Sequence, residues 1–227
     1  MDYHTRMRKS IFTRAKSQLF PTEEAARQWM RDTWLKGIAA VGLDYRFFVG
    51  NGNGVMPDDV ISLDIDDSYE GLTHKTVASH RWAMANVYDY TFQCCADCYA
   101  RPERLMASGF EGHDYLGFPI ANTGGANIIG SFDLCSGGAG YWLSPRANTV
   151  LIYDRPIDDF AEDRWVGSVM KKAEISLTAD GRYNYLATPS PRRDNNIITC
   201  HLSGTTGGYD KIRMYETHEV WLKSLEG

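Results

Sequence analysis

Long apolar runs are missing from this sequence. No stretch approaches the ~20 consecutive apolar residues that a membrane-spanning helix needs, so no membrane span is expected. A basic excess is missing too. The net charge is −5, which is not the electrostatic footprint of a phosphate-backbone binder, and nucleic acid is an unlikely partner. The five cysteines are few and odd in number, so they do not make the disulfide framework of a secreted domain. The phosphate-binding pattern GxxxxGKS/T is absent, as are internal repeats and any linker that would mark a domain boundary. The first sixteen residues are locally basic (Arg6, Arg8, Lys9, Arg14, Lys16), but no apolar segment follows to make them a secretory leader. These absences predict one soluble domain over 1–227, with a cytoplasmic location.

What is present is ample core material. The chain has 227 residues, of which 43% are hydrophobic and 12% aromatic, enough to bury a sizeable interior. Ser10 to Thr13 reads as a short first strand. Thr22 reads as an N-cap with Glu23 and Glu24 in the first turn, and apolar residues then recur at helical spacing from Ala25 to Ile38. Tyr45 to Val49 and Val60 to Leu63 read as strands, Leu72 to Val87 as a helix, and Tyr88 to Cys94 as a buried strand. Strand and helix alternating in this way predict βαβ units, hence an α/β fold with a mixed, mainly parallel sheet. Further on, Leu116 to Ile120, Ile128 to Phe132 and Ile197 to Cys200 read as strands, with helices over Leu143 to Leu151 and Asp163 to Ala173. Glycine pairs at Gly124-Gly125 and Gly137-Gly138 mark turns.

The chain is organised around Tyr88 to Leu105, YDYTFQCCADCYARPERL. An apolar run drives into Cys94-Cys95-Ala96-Asp97-Cys98, and Pro102 then suits the first turn of a helix. A buried strand that ends at a lone carboxylate and turns into a helix is how α/β enzymes present chemistry at strand ends. Asp97 is therefore a candidate metal ligand or a helix N-cap. Cys95 and Cys98 also form a CxxC, which Cys135, Cys200 and His201 could complete as a zinc site, the basis of an alternative reading as a zinc-stabilised interaction domain.

Several motifs occur in a fixed order: Arg31-Asp32-Thr33-Trp34, then Asp67-Ser68-Tyr69-Glu70-Gly71-Leu72-Thr73-His74-Lys75, then the Asp97 segment. Ser136-Gly137-Gly138-Ala139-Gly140-Tyr141 and Glu162-Asp163-Arg164-Trp165-Val166-Gly167 follow, and last His201. From about Trp29 to His201 this order resembles the β-1,3-galactosyltransferase and Fringe group of inverting glycosyltransferases. In that group the first motif reads Arg-x-Thr-Trp, and the second has Asn where Gly71 stands. The metal-binding strand there ends in an acidic triplet, of which only the third member, Asp97, is kept. Cys95 and Ala96 occupy the other two positions, and the first of these often contacts the nucleotide ribose.

The resemblance implies a GT-A type fold and transfer of a galactose-like hexose from a UDP-sugar to a hydroxyl of a glycan or glycoconjugate. It implies Asp97 and His201 as ligands of manganese (or magnesium) and Asp163 as general base. Arg31, Asp67, Lys75, Cys95, Ala96, Gly138, Ala139 and Glu162 would line the donor site. Chemistry agrees with such a set. Loss of a nucleotide diphosphate builds negative charge that a divalent ion can stabilise, and an attacking hydroxyl needs a base. Plainer roles stand beside these. Glu162 and Asp163 suit a helix start, Lys75 a solvated surface, and Tyr141 and Trp142 either a sugar platform or the core. Lys211 and Arg213 could close over the diphosphate as a lid. The departures at Cys95 and Ala96 also allow a degenerate relative that binds nucleotide or carbohydrate without turnover. Relatives in eukaryotes are membrane-anchored, and this chain reads as a minimal catalytic domain.

Overall fold

The computed structural model describes residues 9–14, 23–51, 56–68, 70–120, 134–157, 161–184, 196–202 and 211–225. The first half alternates as expected: β1 (Lys9–Arg14), α1 (Glu23–Asp32), β2 (Asp44–Gly50), β3 (Val60–Leu63), α2 (Leu72–Ala85), β4 (Tyr90–Cys95), β5 (Cys98–Ala100) and α3 (Pro102–Met106). The second half is made of shorter pieces: β6 (Tyr115–Gly117), β7 (Pro119–Ile120), β8 (Leu134–Cys135), β9 (Tyr141–Leu143), α4 (Pro145–Tyr153) and α5 (Glu162–Lys172). Then come β10 (Leu177–Ala179), β11 (Tyr183–Asn184), β12 (Thr199–His201) and α6 (Lys211–Leu225).

The main sheet has the order β10-β6-β9-β4-β1-β2-β3. The β1–β2, β1–β4, β2–β3 and β6–β10 pairs are parallel, and β9 runs antiparallel to both β4 and β6. This is the mixed, mainly parallel sheet that the alternation predicts. Its chain path explains where a site should be. From β1 the chain moves outward through β2 to β3, then returns to the other side of β1 as β4. The order therefore reverses between β1 and β4, and ligands of open α/β sheets sit beyond the carboxyl ends of strands at such a switch point. Cys95, the last residue of β4, pairs with Arg14, the last of β1.

Two layers of core hold the sheet. On one side Trp34, Phe47, Phe92, Tyr99, Leu105, Phe110 and Trp142 are buried together. On the other, Tyr141, Leu143, Leu151, Trp165, Val166 and Met170 pack with Val77 of α2. Tyr141 and Trp142, adjacent on β9, thus point to opposite faces, as strand geometry requires. Both are fully buried, and Trp142 stacks on Phe110 at 3.8 Å. They are core residues and not an exposed sugar platform.

Four expectations shift. The long first helix ends at Asp32 and tightens into a 3₁₀ turn at Trp34–Gly37. Thr33 Oγ1 bonds back to the Trp29 carbonyl at 2.6 Å while the Trp34 indole turns inward to the Cys98 carbonyl at 3.1 Å. Leu116 to Ile120 is divided between β6 and β7, which belong to different sheets. The strand near Ile197 lies slightly later, at Thr199–His201. Finally, Asp97 does not lead at once into a helix: the short strand β5 intervenes before Pro102 opens α3. The expected strand at 128–132, the turn at 124–125, the N-cap at Thr22 and the loop at 203–208 lie outside the described residues, as do the side chains of Lys211 and Arg213.

Candidate active site

Asp97 sits in the tight turn between β4 and β5. Its place is fixed from both sides. On one, β4 pairs with central β1. On the other, β5 pairs antiparallel with β12, with Cys98 opposite His201. The Leu202 amide donates to the Asp97 carbonyl at 2.9 Å, closing the turn against the end of β12. This register brings the His201 imidazole to the carboxylate, with Nε2 3.1 Å from Oδ2. The Trp34 indole on the Cys98 carbonyl gives the Arg31-to-Trp34 motif a local purpose, because it braces the residue next to Asp97. The N-cap of α3 is Arg101, so Asp97 is not the capping residue.

The glycine turn between β8 and β9 forms the opposite wall. A Cβ on Gly138 would stand 2.6 Å from His201 Cε1 and Nε2, so only glycine lets this turn lie against the imidazole. Gly140 takes a φ of 87° and a Cβ there would strike Phe92, which makes glycine necessary for a second reason. The Ala139 carbonyl accepts the Thr199 hydroxyl at 2.7 Å, tying the turn to β12. The Cys95 thiol lies 3.7 Å from the Gly137 carbonyl. From the other end of the same residue, the Gly137 amide points to Asp163 Oδ2 at 3.5 Å. Asp163 occupies the first turn of α5, where its charge complements the helix dipole, and Oδ1 accepts the Arg164 amide at 2.9 Å. Cys95, Asp97, Gly137, Gly138, Ala139, Asp163 and His201, far apart in sequence, thus meet at one end of β4.

Glu162 lies behind this group, buried, with Gln93 Nε2 and the Tyr141 hydroxyl both donating to its Oε1. Ala96 is also buried and contributes only its methyl to the core around Trp34.

The remaining candidates lie elsewhere, Asp67 and Lys75 at the end of β2 and Arg31 against its first half. Asp67 Oδ1 accepts the Gly50 amide at 3.0 Å and the Lys75 ammonium, joining the end of β2 to the start of α2. The expectation of a solvated or diphosphate-touching Lys75 is corrected here: its side chain is 0% exposed and its charge is held inside the protein by Asp67. A cavity of about 560 Å³ opens beside this pair, lined by Ile65, Asp66, Ser68, Glu70, Gly71 and His74. Gly71, where the resembled group carries asparagine, stands where a Cβ would come 2.6 Å from the Asp66 carbonyl. Arg31 makes a bidentate pair with Asp59, at 2.7 and 3.0 Å, and packs over Phe47. Burial raises the Asp59 carboxyl, but the hydrogen bonds and charge of Arg31 outweigh that and leave it below the usual carboxylate range.

The site suits a divalent ion on two grounds. Asp97 Oδ1 is buried with no hydrogen-bond partner among the described residues, an orphan atom that calls for a cation or a donor. The same carboxylate faces a ring nitrogen, with Oδ2 3.1 Å from Nε2, an oxygen and nitrogen pair of the kind that could hold such an ion. Among the described residues no three His, Cys, Asp or Glu side chains gather to hold a metal, so a cysteine zinc cluster does not form there. Burial pushes the Cys98 and Cys135 thiols well above their ordinary range, which keeps them protonated and poor as ligands.

Gln93 and Thr199 escape sequence reasoning. The one signal is Gln93 itself, a lone amide in an apolar strand whose partners are 13, 48 and 69 residues away.

With this geometry the chain can be compared with known proteins. No family model matches it. Its fold is that of GT-A glycosyltransferases. A glycosyltransferase involved in the glycosylation of the major capsid of PBCV-1 superposes with a TM-score of 0.56 at 12% identity, covering 93% of this chain and 98% of that one. The glycosyltransferase GlyE of Streptococcus pneumoniae TIGR4 gives 0.52 at 9% identity, covering 97% of this chain and 63% of that one. In sequence, the chain is 34% identical over 116 residues to a probable β-1,3-galactosyltransferase 13 of Arabidopsis thaliana. That match covers 40% of this chain and spans about a third (34%) of the relative's length. The fold thus bears out a glycosyltransferase, and the partial sequence match supports the resemblance to β-1,3-galactosyltransferases. Among the described residues no helix is long and apolar enough to cross a membrane.

Proposed function

We propose that this protein is an inverting, metal-dependent glycosyltransferase that moves a galactose-like hexose from a UDP-sugar to a hydroxyl of a glycan or glycoconjugate. The observation that carries this reading is the meeting of Asp97 and His201 with the glycine turn and Asp163 at the switch point of the sheet.

Asp97 and His201 would hold manganese or magnesium, which when bound neutralises the charge that grows on the departing diphosphate. Their side chains keep 14% and 15% exposure, enough for a phosphate oxygen and water to reach them. The amides of the Gly137–Ala139 turn line the donor side, where glycine allows the backbone to approach a sugar or phosphate closely. Asp163 takes the proton from the acceptor hydroxyl as it attacks the anomeric carbon. Glu162 fixes the start of α5 from behind and so keeps Asp163 in line. The buried Asp67–Lys75 pair would brace the end of β2 against α2 behind the nucleotide side, and Cys95 would face the ribose.

Calorimetric titration of UDP with manganese, repeated with a chelator, tests the reading. Metal-dependent binding is expected, followed by slow UDP-galactose hydrolysis. A second reading is a sugar-nucleotide binder without turnover, favoured by Cys95 and Ala96 in place of two carboxylates. Tight metal-dependent UDP binding with no hydrolysis or transfer from any UDP-hexose would select it.

A further inference from the structure

We propose that His80 is a buried imidazolium that acts as a positioning residue, holding Glu162 ionised through Gln93 at the root of the helix that carries Asp163. His80 lies on α2 and is fully buried. Both of its ring nitrogens face oxygen: Nδ1 is 2.7 Å from Asn148 Oδ1 and Nε2 is 2.9 Å from Gln93 Oε1. A neutral imidazole has one donor and one acceptor nitrogen and satisfies only one of these contacts.

The amide orientations are fixed by their other partners. Asn148 Nδ2 donates to the carbonyls of Asp89 and Leu143, at 3.1 and 3.4 Å, while its Oδ1 also takes the Thr91 hydroxyl at 2.9 Å. Turning it over would set an oxygen against two carbonyls. Gln93 Nε2 donates to Glu162 Oε1 and to the Tyr141 hydroxyl. Turning Gln93 over would set its oxygen against the carboxylate, which is tolerable only if Glu162 held the proton. Imidazolium with carboxylate and neutral imidazole with carboxylic acid contain the same number of protons, so the choice is where one proton resides. The Tyr141 hydroxyl and the Gln93 amide both donate to one Glu162 oxygen, which therefore acts as an acceptor toward both. Buried charges persist when paired and hydrogen-bonded. Among the described residues around His80, α4 supplies Asn148 and β4 supplies Thr91 and Gln93, while Tyr141 of β9 and Glu162 of α5 are titratable groups behind Gln93.

The proton's position is independent of the transferase reading, while its catalytic consequence rests on it. The test is nitrogen-15 NMR of histidine-labelled protein. One imidazole is expected to show two protonated nitrogens at pH 7.5 and to keep them to pH 8. It should vanish in His80→Gln. Should that variant fail to fold, the signal is assigned by its survival in single Gln replacements of His4, His74, His113, His201 and His218. Glu162→Gln should convert it to the neutral pattern. A neutral His80 in the parent protein, or an imidazolium indifferent to Glu162→Gln, would overturn the proposal. If turnover with UDP-galactose is found, His80→Gln should lower kcat at least tenfold while the donor KM changes less than threefold. An unchanged kcat in that variant overturns the positioning role. Absence of turnover in the parent protein rejects the proposed function and leaves the NMR result standing.

Discussion

His201 Nε2 lies 3.1 Å from Asp97 Oδ2, although the two residues are 104 positions apart. The antiparallel pairing of β5 with β12 makes this contact, since Cys98 and His201 are register partners and Asp97 precedes Cys98. Either residue alone would offer a single ligand. Asp97→Ala and His201→Ala are therefore each expected to weaken manganese-dependent UDP binding at least tenfold, and a chelator should do the same to the parent protein. Titration calorimetry with and without chelator measures this, and equal binding in all cases would remove the metal from the site.

Gly138→Ala should act on the same pair without touching either residue. The new methyl would stand 2.6 Å from the imidazole, so the ring must turn away. The expected cost to stability is about 1–3 kcal/mol, typical of overpacking, with a tenfold or larger loss of metal-dependent binding. Urea melts together with the same titration separate these effects. Binding like the parent's would mean that His201 can retreat and still serve.

Asp163→Asn keeps the size of the side chain and removes its basicity. A positioned base contributes roughly 10²–10⁴-fold, so kcat for transfer should fall within that range while UDP binding stays within twofold. Steady-state kinetics measures the first and calorimetry the second. A rate unchanged by the substitution would assign the proton to another group.

The Asp67–Lys75 pair is almost wholly buried. Removing one partner from such a pair leaves an uncompensated charge and costs about 3–5 kcal/mol. Lys75→Met and Asp67→Asn should each destabilise strongly, and the combined variant should recover part of the loss. Chemical denaturation of all three decides, with additive losses excluding the pairing.

Asp59 predicts a pH effect. Its carboxyl is raised by burial but lowered further by the hydrogen bonds and charge of Arg31, for a net decrease. A lowered folded value means that Asp59 adds stability above the ordinary carboxylate range of about 3.9 and loses it as pH falls through the folded value. The deficit of Asp59→Asn in urea melts should be full at pH 7 and shrink below pH 4. A deficit unchanged at low pH would show that the ion pair is not its source.

The parallel half of the fold was legible because buried strands and amphipathic helices leave local periodicity. Val60 to Leu63, for example, is a strand with the bounds expected of it. The second half was less so: β8 and β11 are only two residues long and owe their existence to partners, not to pattern. Of the site, Asp97, His201, Asp163 and the glycine turn came from an ordered set of motifs, and their meeting is a property of strand register that sequence spacing does not contain. Lys75 misled because the charge of a lysine at a helix start says nothing of an aspartate waiting eight residues earlier. The His80–Gln93–Glu162 chain was invisible for the same reason, since each link joins different elements.

One consequence concerns the order of events during synthesis. Asp97 leaves the ribosome inside a strand pair whose other half has yet to be made, and its partner arrives with Thr199–His201. Up to that moment the glycine turn at Gly138 has no imidazole to lie against. A nascent chain can assemble its parallel sheet early and still lack the Asp97–His201 contact. A chain cut before Thr199 would hold every strand of the main sheet and lose the partner of β5.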